Sequence, residues 1–134
     1  MGLCWLQSMS VGVAEFDDDH QRVILLLDEM AAALAVGDGG LAASLAAGLL
    51  ALAEDHVERE EAFLRRIGYP NTDTVVAAQR ESLSRLAALG RQVATAPDAG
   101  RALVTAMSEA FISYLLRADI NYKSYVEAAG AADR

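Results

Sequence analysis

The sequence is poor in the features that stabilise small secreted proteins and in those that bind nucleic acids. Its single cysteine, Cys4, excludes a disulfide within the chain. Eleven basic residues stand against nineteen acidic ones, a net charge of −8, whereas nucleic acids and anionic membranes select basic surfaces. We therefore expect neither nucleic acid nor an anionic membrane surface as a partner.

The chain also shows little sign of a targeting or membrane-spanning segment. Its start, MGLCWLQSMS, lacks a basic region followed by an apolar core, so we expect no signal peptide and a cytoplasmic location. The longest low-charge run, residues 41–53, is too short to span a bilayer and has a helical rather than a continuous hydrophobic pattern. These patterns predict a protein that does not enter a membrane.

Proline occurs only twice, glycines cluster between periodic segments and alanine is abundant, which together favour long helices. At 134 residues the chain forms one domain that is large enough to bury a core. We predict an all-α fold, an up-down-up-down antiparallel four-helix bundle. Its parts are an extended N-terminal arm at residues 1–17, the bundle at 18–128 and a tail at 129–134.

Turn signals and apolar stripes predict the helix boundaries. The first helix runs from about Asp18 to Val36, and the aspartates at 17, 18 and 19 are expected to cap its N-terminus. His20 lies on the apolar stripe of this helix and therefore points inward. The later boundaries follow from Gly37, Gly39 and Gly40 after the first helix, Gly68 after the second, Asn71 or Thr72 before the third, and residues 98 to 128 for the fourth.

Residues 45–70 place polar side chains on a helix face that should be buried. Counting in threes and fours gives one stripe, listed as Leu45, Leu49, Leu52, His56, Glu60, Phe63 and Ile67. A buried carboxylate is costly unless it is paired or bound to a metal, so Glu60 calls for a partner. His56, one helical turn earlier, is the nearest candidate.

Three predicted helices each bring a ligand-type side chain towards the interior. These are His20 on the first, His56 and Glu60 on the second, and Asp119 beside the inward stripe of the fourth. Two imidazoles with two carboxylates suit non-haem iron first, while manganese and zinc remain open. The absence of cysteine among them disfavours an iron–sulfur site.

Several segments together resemble hemerythrins, especially the bacterial single-domain form, over nearly the whole chain. They are Trp5, SVGVAEFDDDHQ, DHVEREE, IGYP and LLRADINYKSY. The resemblance implies a single four-helix domain in which five histidines, a glutamate and an aspartate hold two bridged irons that bind oxygen. His20, His56, Glu60 and Asp119 match the family's ligands in order and spacing.

Three of the family's ligand positions hold other residues in this chain. Val75 and Gln79 stand where the H-x-x-x-H pair belongs, and Tyr114 begins the motif that ends in Asp119. A shifted register, with Ser124 in the aspartate position, is a weaker alternative. All three losses fall on one iron, so the resemblance implies a single-iron site, with Tyr114 as a phenolate ligand and Gln79 as a weak oxygen donor or a hydrogen-bonding neighbour.

The resemblance therefore implies one iron that binds or senses oxygen, nitric oxide or peroxide. A single iron cannot give the two electrons of reversible oxygen carriage, so we expect a binding or sensing protein, with weak oxidase or peroxidase activity as a further option. Two alternatives stay open. One is a metal-free helical interaction or scaffold module in which His20, Glu60 and Asp119 form a buried polar network. The other is a two-metal site that uses Tyr114 and Gln79 in place of histidines.

Overall fold

The structure, a computed structural model, describes residues 4–95, 99–116 and 120–130. Every regular element in these residues is helical, which confirms the all-α prediction. A short 3₁₀ helix at Gln7–Met9 precedes five α-helices. They are α1 (Ala14–Ala35), α2 (Gly39–Arg66), α3 (Thr72–Thr95), α4 (Gly100–Tyr114) and α5 (Ile120–Ala129).

The first four α-helices enclose the core. Helix α1 packs against α2 and α4, and α3 packs against the same two helices, so each of the four has two neighbours. This is the packing of a helical bundle. The largest side chains that are fully buried between them include Phe16, Met30, Leu49, Leu64 and Met107. Burying such side chains contributes roughly 1.5–3 kcal/mol each.

Helix α1 begins four residues earlier than predicted, and the aspartates do not cap it. Val13 occupies the N-cap position without a side-chain hydrogen bond. Asp17, inside the first turn, accepts hydrogen bonds from the Val11 amide (2.8 Å) and the Ser10 hydroxyl (2.6 Å). The predicted cap is wrong because this carboxylate fastens the N-terminal arm to α1, and the arm ends at Val13 rather than at residue 17.

The turn between α1 and α2 is tighter than predicted. Asp38 caps α2 by accepting a hydrogen bond from the Leu41 amide at 3.0 Å, so Gly39 and Gly40 begin α2 instead of ending α1. Gly37 alone makes the reversal, with a φ of +76°. Gly68, at φ +74°, ends α2 as predicted. This left-handed conformation favours glycine because it has no Cβ.

Helix α2 is the one described helix that is long and apolar enough to cross a membrane by length and composition. Its most apolar window of 18 residues has a mean hydropathy of 1.2, and 22% of that window is buried. Apolar core helices pass the same test, and the C-terminal half of α2 brings His56, Glu60 and Phe63 into the core. The absence of membrane contact therefore stays a prediction.

The predicted fourth helix corresponds to α4 and α5. Leu115 and Leu116 form a π-helical turn at the end of α4, and residues 117–119 lie outside the described residues. Tyr114 is 7% exposed at the end of α4, and Tyr122 is fully buried on α5. Both helices thus bring a phenol to the same end of the core, at the level of Glu60.

Two glycines, one inside α2 and one just after its end, test what terminates this helix. Gly68→Ala should lower the free energy of unfolding by about 1–2 kcal/mol, because alanine is strained in the left-handed region. Gly48→Ala is the matched control, since Gly48 lies within α2 with open space around its Cα. It should raise stability by about 0.5–1 kcal/mol. Urea unfolding of both variants measures the difference, and equal effects would contradict this role for Gly68.

Candidate metal centre

Glu60 is the centre of the buried polar residues. It lies in the C-terminal part of α2 and its side chain has no solvent exposure. Oε1 accepts hydrogen bonds from the amide of Gln79 on α3 and from the hydroxyl of Tyr114 on α4, the latter at 2.7 Å. Oε2 accepts a hydrogen bond from the hydroxyl of Tyr122 on α5, also at 2.7 Å. Three helices therefore direct donors at one carboxylate.

The remaining side of Oε2 faces histidine. His56 Nε2 lies 3.2 Å from Glu60 Oε2 and 3.2 Å from His20 Nε2. One ligand atom each from His20, His56 and Glu60 lies within 4.8 Å of the other two. A carboxylate has about four lone-pair directions. Donors from three other helices therefore reach this carboxylate, and His56 Nε2 also faces its Oε2.

The two separations at His56 Nε2 fit a shared ion. Metal–nitrogen and metal–oxygen bonds of about 2.0–2.1 Å place neighbouring ligand atoms about 2.9–3.4 Å apart in octahedral or tetrahedral geometry. The two distances of 3.2 Å at His56 Nε2 fall within that range. Two imidazoles with one carboxylate also form a donor set that iron, zinc and manganese accept. The residues present therefore fit a metal ion.

A carboxylate and an arginine orient His56. Asp19 Oδ2 lies 2.8 Å from His56 Nδ1, and the same oxygen accepts a hydrogen bond from Arg59 Nη2 at 2.7 Å. Arg59 also donates to Glu15 (2.7 Å) and Asp55 (2.8 Å), which links α1 to α2. A hydrogen bond from Nδ1 to a carboxylate leaves Nε2 as the metal-binding atom, an arrangement that is common in metal sites.

Aromatic rings fix the planes of the two imidazoles. The ring of Phe16 meets His56 edge to face at a centroid distance of 5.3 Å, and the ring of Phe111 meets His20 in the same manner at 5.7 Å. Both imidazoles are buried, at 5% exposure for His56 and 1% for His20. Their orientation is therefore set before any ligand binds.

The two histidines have opposite protonation preferences in the metal-free protein. Burial, together with the charge of neighbouring His56, lowers the pKa of His20 to about 4. Burial also opposes protonation of His56, but its contacts with Asp19 and Glu60 outweigh burial and raise its pKa to about 9. At neutral pH a protonated His56 thus lies between two carboxylates, beside a neutral His20. A metal ion that binds at His56 Nε2 displaces a proton.

A small cavity adjoins the imidazoles. It has a volume of about 30 Å³ and is bounded by His20, His56, Gln79 and Tyr114 on one side. Its other walls are mainly apolar, contributed by Val23, Ala53, Val57, Leu83, Leu86 and Phe111 together with Ser82. A single water needs roughly 10–15 Å³ measured in this way, so the cavity admits a water or a diatomic molecule.

The structure brings together five of the six residues named from the sequence. His20, His56 and Glu60 form the cluster, and Gln79 and Tyr114 bind Glu60. The sixth, Asp119, lies outside the described residues.

Sequence analysis missed the roles of three neighbours of this cluster. The sequence patterns assigned Asp19 to a helix cap and gave no role in the site to Arg59 or Tyr122. Arg59, one helical turn after His56, could have indicated that a carboxylate, here Asp19, lies next to that histidine. Nothing in the sequence indicated that the Tyr122 hydroxyl contacts Glu60 on α2, because the two residues are 62 positions apart.

Comparison with known proteins does not extend the sequence resemblance. No family model matches the chain, and no curated protein or solved structure is similar enough to match it. The resemblance to hemerythrins therefore remains an expectation from the quoted motifs.

The histidine pKa values predict a stability maximum for the metal-free protein near pH 6.5. Below pH 6.5 the unfolded chain protonates His20 while the folded protein resists protonation down to about pH 4, so stability falls as pH falls. Above pH 6.5 the folded protein keeps the His56 proton up to about pH 9 while the unfolded chain loses it, so stability falls as pH rises.

Chemical denaturation in the presence of a chelator, across pH 4 to 9, measures both limbs of this profile. His56→Gln should remove the decline above pH 6.5 and leave the decline below it. Stability that is constant or rising between pH 6.5 and 9 in the unmodified protein would contradict the raised pKa of His56.

Proposed function

We propose that this chain is a hemerythrin-like non-haem iron protein with one iron per chain. His20, His56 and Glu60 would hold the ion, with Asp119 as a further ligand by the family resemblance. The bundle would be an up-down-up-down antiparallel one, and the protein would bind or sense oxygen, nitric oxide or peroxide. Iron is favoured over manganese and zinc because of the resemblance, since the donor set suits all three.

The hydrogen bonds at Glu60 Oε1 are the observation that supports one metal rather than two. In the family that the sequence resembles, the corresponding glutamate bridges two irons. Here Gln79 and Tyr114, which replace two histidine ligands of one iron, both donate to Oε1. Val75, which replaces the third, is buried and apolar. A cation at this position would meet two hydrogen-bond donors, so the arrangement disfavours a second ion and a two-metal site.

The cavity supports a small ligand. A bound iron supplies an open coordination position and an electron, while the apolar walls exclude larger polar molecules. Phe111 and Val23 border the space next to His20, and Tyr114 provides a hydroxyl at its edge. These residues would hold a diatomic or peroxide molecule against the two imidazoles.

The alternative is a metal-free helical module, and one observation favours it. Glu60 is already satisfied by three donors and by His56, so its burial does not require a metal. Hydrogen bonds to a charged group contribute about 1.5–3 kcal/mol each, which is enough for a structural role alone. Metal binding by variants separates the two functions.

Substitution of His56 tests the metal proposal. After anaerobic loading with ferrous ion and removal of excess metal, the unmodified protein should retain about one iron per chain, and His56→Ala should retain almost none. Glu58→Ala, an exposed carboxylate change on the same helix, is the matched control and should keep its iron. Elemental analysis and the visible absorption spectrum are the measurements. Equal metal content in all three proteins would overturn the proposal.

Restoring the replaced ligands tests the number of metal sites. The triple variant Val75→His, Gln79→His and Tyr114→His removes both donors from Glu60 Oε1 and supplies three imidazoles in their place. It should bind about two irons per chain, since imidazole is a ligand that iron accepts. Circular dichroism checks that the variant is folded. A folded triple variant that binds one iron would contradict the role assigned to Gln79 and Tyr114.

A further inference from the structure

Three tyrosines form a line of ring contacts from the candidate metal centre towards the surface. Tyr122 is fully buried, and its hydroxyl donates to Glu60 Oε2 at 2.7 Å. Its ring contacts that of half-buried Tyr69 at a centroid distance of 6.1 Å. Tyr69 in turn contacts Tyr125 at 5.3 Å, and the Tyr125 hydroxyl lies at the surface, where it donates to the carbonyls of Ile67 and Gly68.

A phenol that loses one electron becomes a strong acid and must release its proton at the same time. Oxidation is therefore easiest where a base already accepts the hydroxyl hydrogen. The carboxylate of Glu60, which is fully buried, accepts it for Tyr122 across 2.7 Å. Tyr69 and Tyr125 lie in ring contact along the same line, so an electron can pass between them in short steps.

We propose that Tyr122, Tyr69 and Tyr125 are a one-electron relay between Glu60 and the protein surface. The inference rests on the proposed function for its biological role, because a single iron lacks the second electron that peroxide reduction needs. Hydrogen peroxide takes two electrons and two protons to give two water molecules. One electron comes from ferrous ion, which becomes ferric, and the other comes from Tyr122.

The protons of this step also balance. The phenolic hydrogen of Tyr122 leaves through Glu60 Oε2 and one further proton comes from solvent, so that two waters, one ferric ion and one neutral phenoxyl radical result. An electron from Tyr69 together with a proton restores Tyr122, and Tyr125 restores Tyr69 in the same way. Each phenol releases its proton when it is oxidised and takes one up when it is reduced. A one-electron reductant in solution finally repairs Tyr125, and the lost phenolic proton returns from solvent. After this single round the three tyrosines are unchanged and the iron is ferric, and a second electron from the same reductant returns the iron to the ferrous state.

Tyr114 provides the contrast. It donates to the other oxygen of the same carboxylate at the same distance of 2.7 Å and is also buried. Its ring contact among the described residues is with His20, at 6.4 Å, and not with Tyr69. Tyr114 and Tyr122 therefore share a hydrogen-bond acceptor, whereas the ring contact with Tyr69 is made by Tyr122. Comparison of Tyr114→Phe with Tyr122→Phe therefore tests whether the contact with Tyr69 matters as well as the contact with Glu60.

The first experiment tests the relay in metal-free protein, so that it does not depend on the proposed function. A photogenerated ruthenium(III) polypyridyl complex removes an electron from surface phenols, and freeze-quenched electron paramagnetic resonance identifies the radical. The unmodified protein should show a buried tyrosyl signal, and Tyr122→Phe should lose it. Tyr114→Phe should still form a buried tyrosyl radical, because the contacts of Tyr122 with Glu60 and Tyr69 are kept. Tyr69→Phe should also lose the buried signal and should show a Tyr125 radical instead.

A buried signal that persists in Tyr122→Phe or in Tyr69→Phe, or that disappears in Tyr114→Phe, would overturn the relay. Circular dichroism of each variant confirms folding, and phenylalanine keeps the ring contacts in every case. A negative result in this experiment would contradict the relay but would not change the iron content expected for the His56→Ala experiment. The relay and the metal site can therefore be disproved independently.

The second experiment tests the role of the relay in iron-loaded protein. Addition of hydrogen peroxide should produce the Tyr122 signal in the unmodified protein, and ascorbate should remove it. Tyr69→Phe should bind iron as the unmodified protein does and form the Tyr122 radical, but ascorbate should remove that radical much more slowly. A decay rate that is unchanged in Tyr69→Phe would overturn the connection to the surface.

Discussion

The burial of one carboxylate determines how the helices meet at one end of the core. Glu60 has no contact with solvent, and an ionised carboxylate in that position is stable only with donors on its lone pairs. Helices α3, α4 and α5 each provide one donor, through Gln79, Tyr114 and Tyr122. Because these donors come from separate helices, the carboxylate also fixes how those helices meet α2.

The same donors divide the carboxylate into two chemically different oxygens. Oε1 is enclosed by Gln79 and Tyr114, whereas Oε2 faces His56 and, beyond it, His20. The proposed single-iron site follows from this division. Behind His56, Asp19 and Arg59 hold the imidazole in the orientation that presents Nε2 to the interior, so the site is organised from the surface inwards.

Local patterns predicted much of this structure. The apolar stripe through His56 and Glu60 identified the buried face of α2, and Gly68 identified the end of this helix. Both features depend only on residues that are close in the sequence, so they can be predicted from it. The predicted start of α1 was wrong because a run of aspartates resembles a helix cap. In the structure Asp17 instead binds the N-terminal arm, and Asp19 binds His56. Such contacts join α1 to other segments, and spacing within a helix does not encode them.

The position of the metal itself tests the central claim most directly. A crystal structure of anaerobically prepared ferrous protein, with anomalous diffraction at the iron edge, locates each ion independently of side-chain interpretation. A single peak bonded to His20 Nε2, His56 Nε2 and Glu60 Oε2, with Gln79 and Tyr114 still on Oε1, is the predicted result. Two peaks bridged by Glu60, or a fully loaded crystal without a peak between the imidazoles, would contradict it.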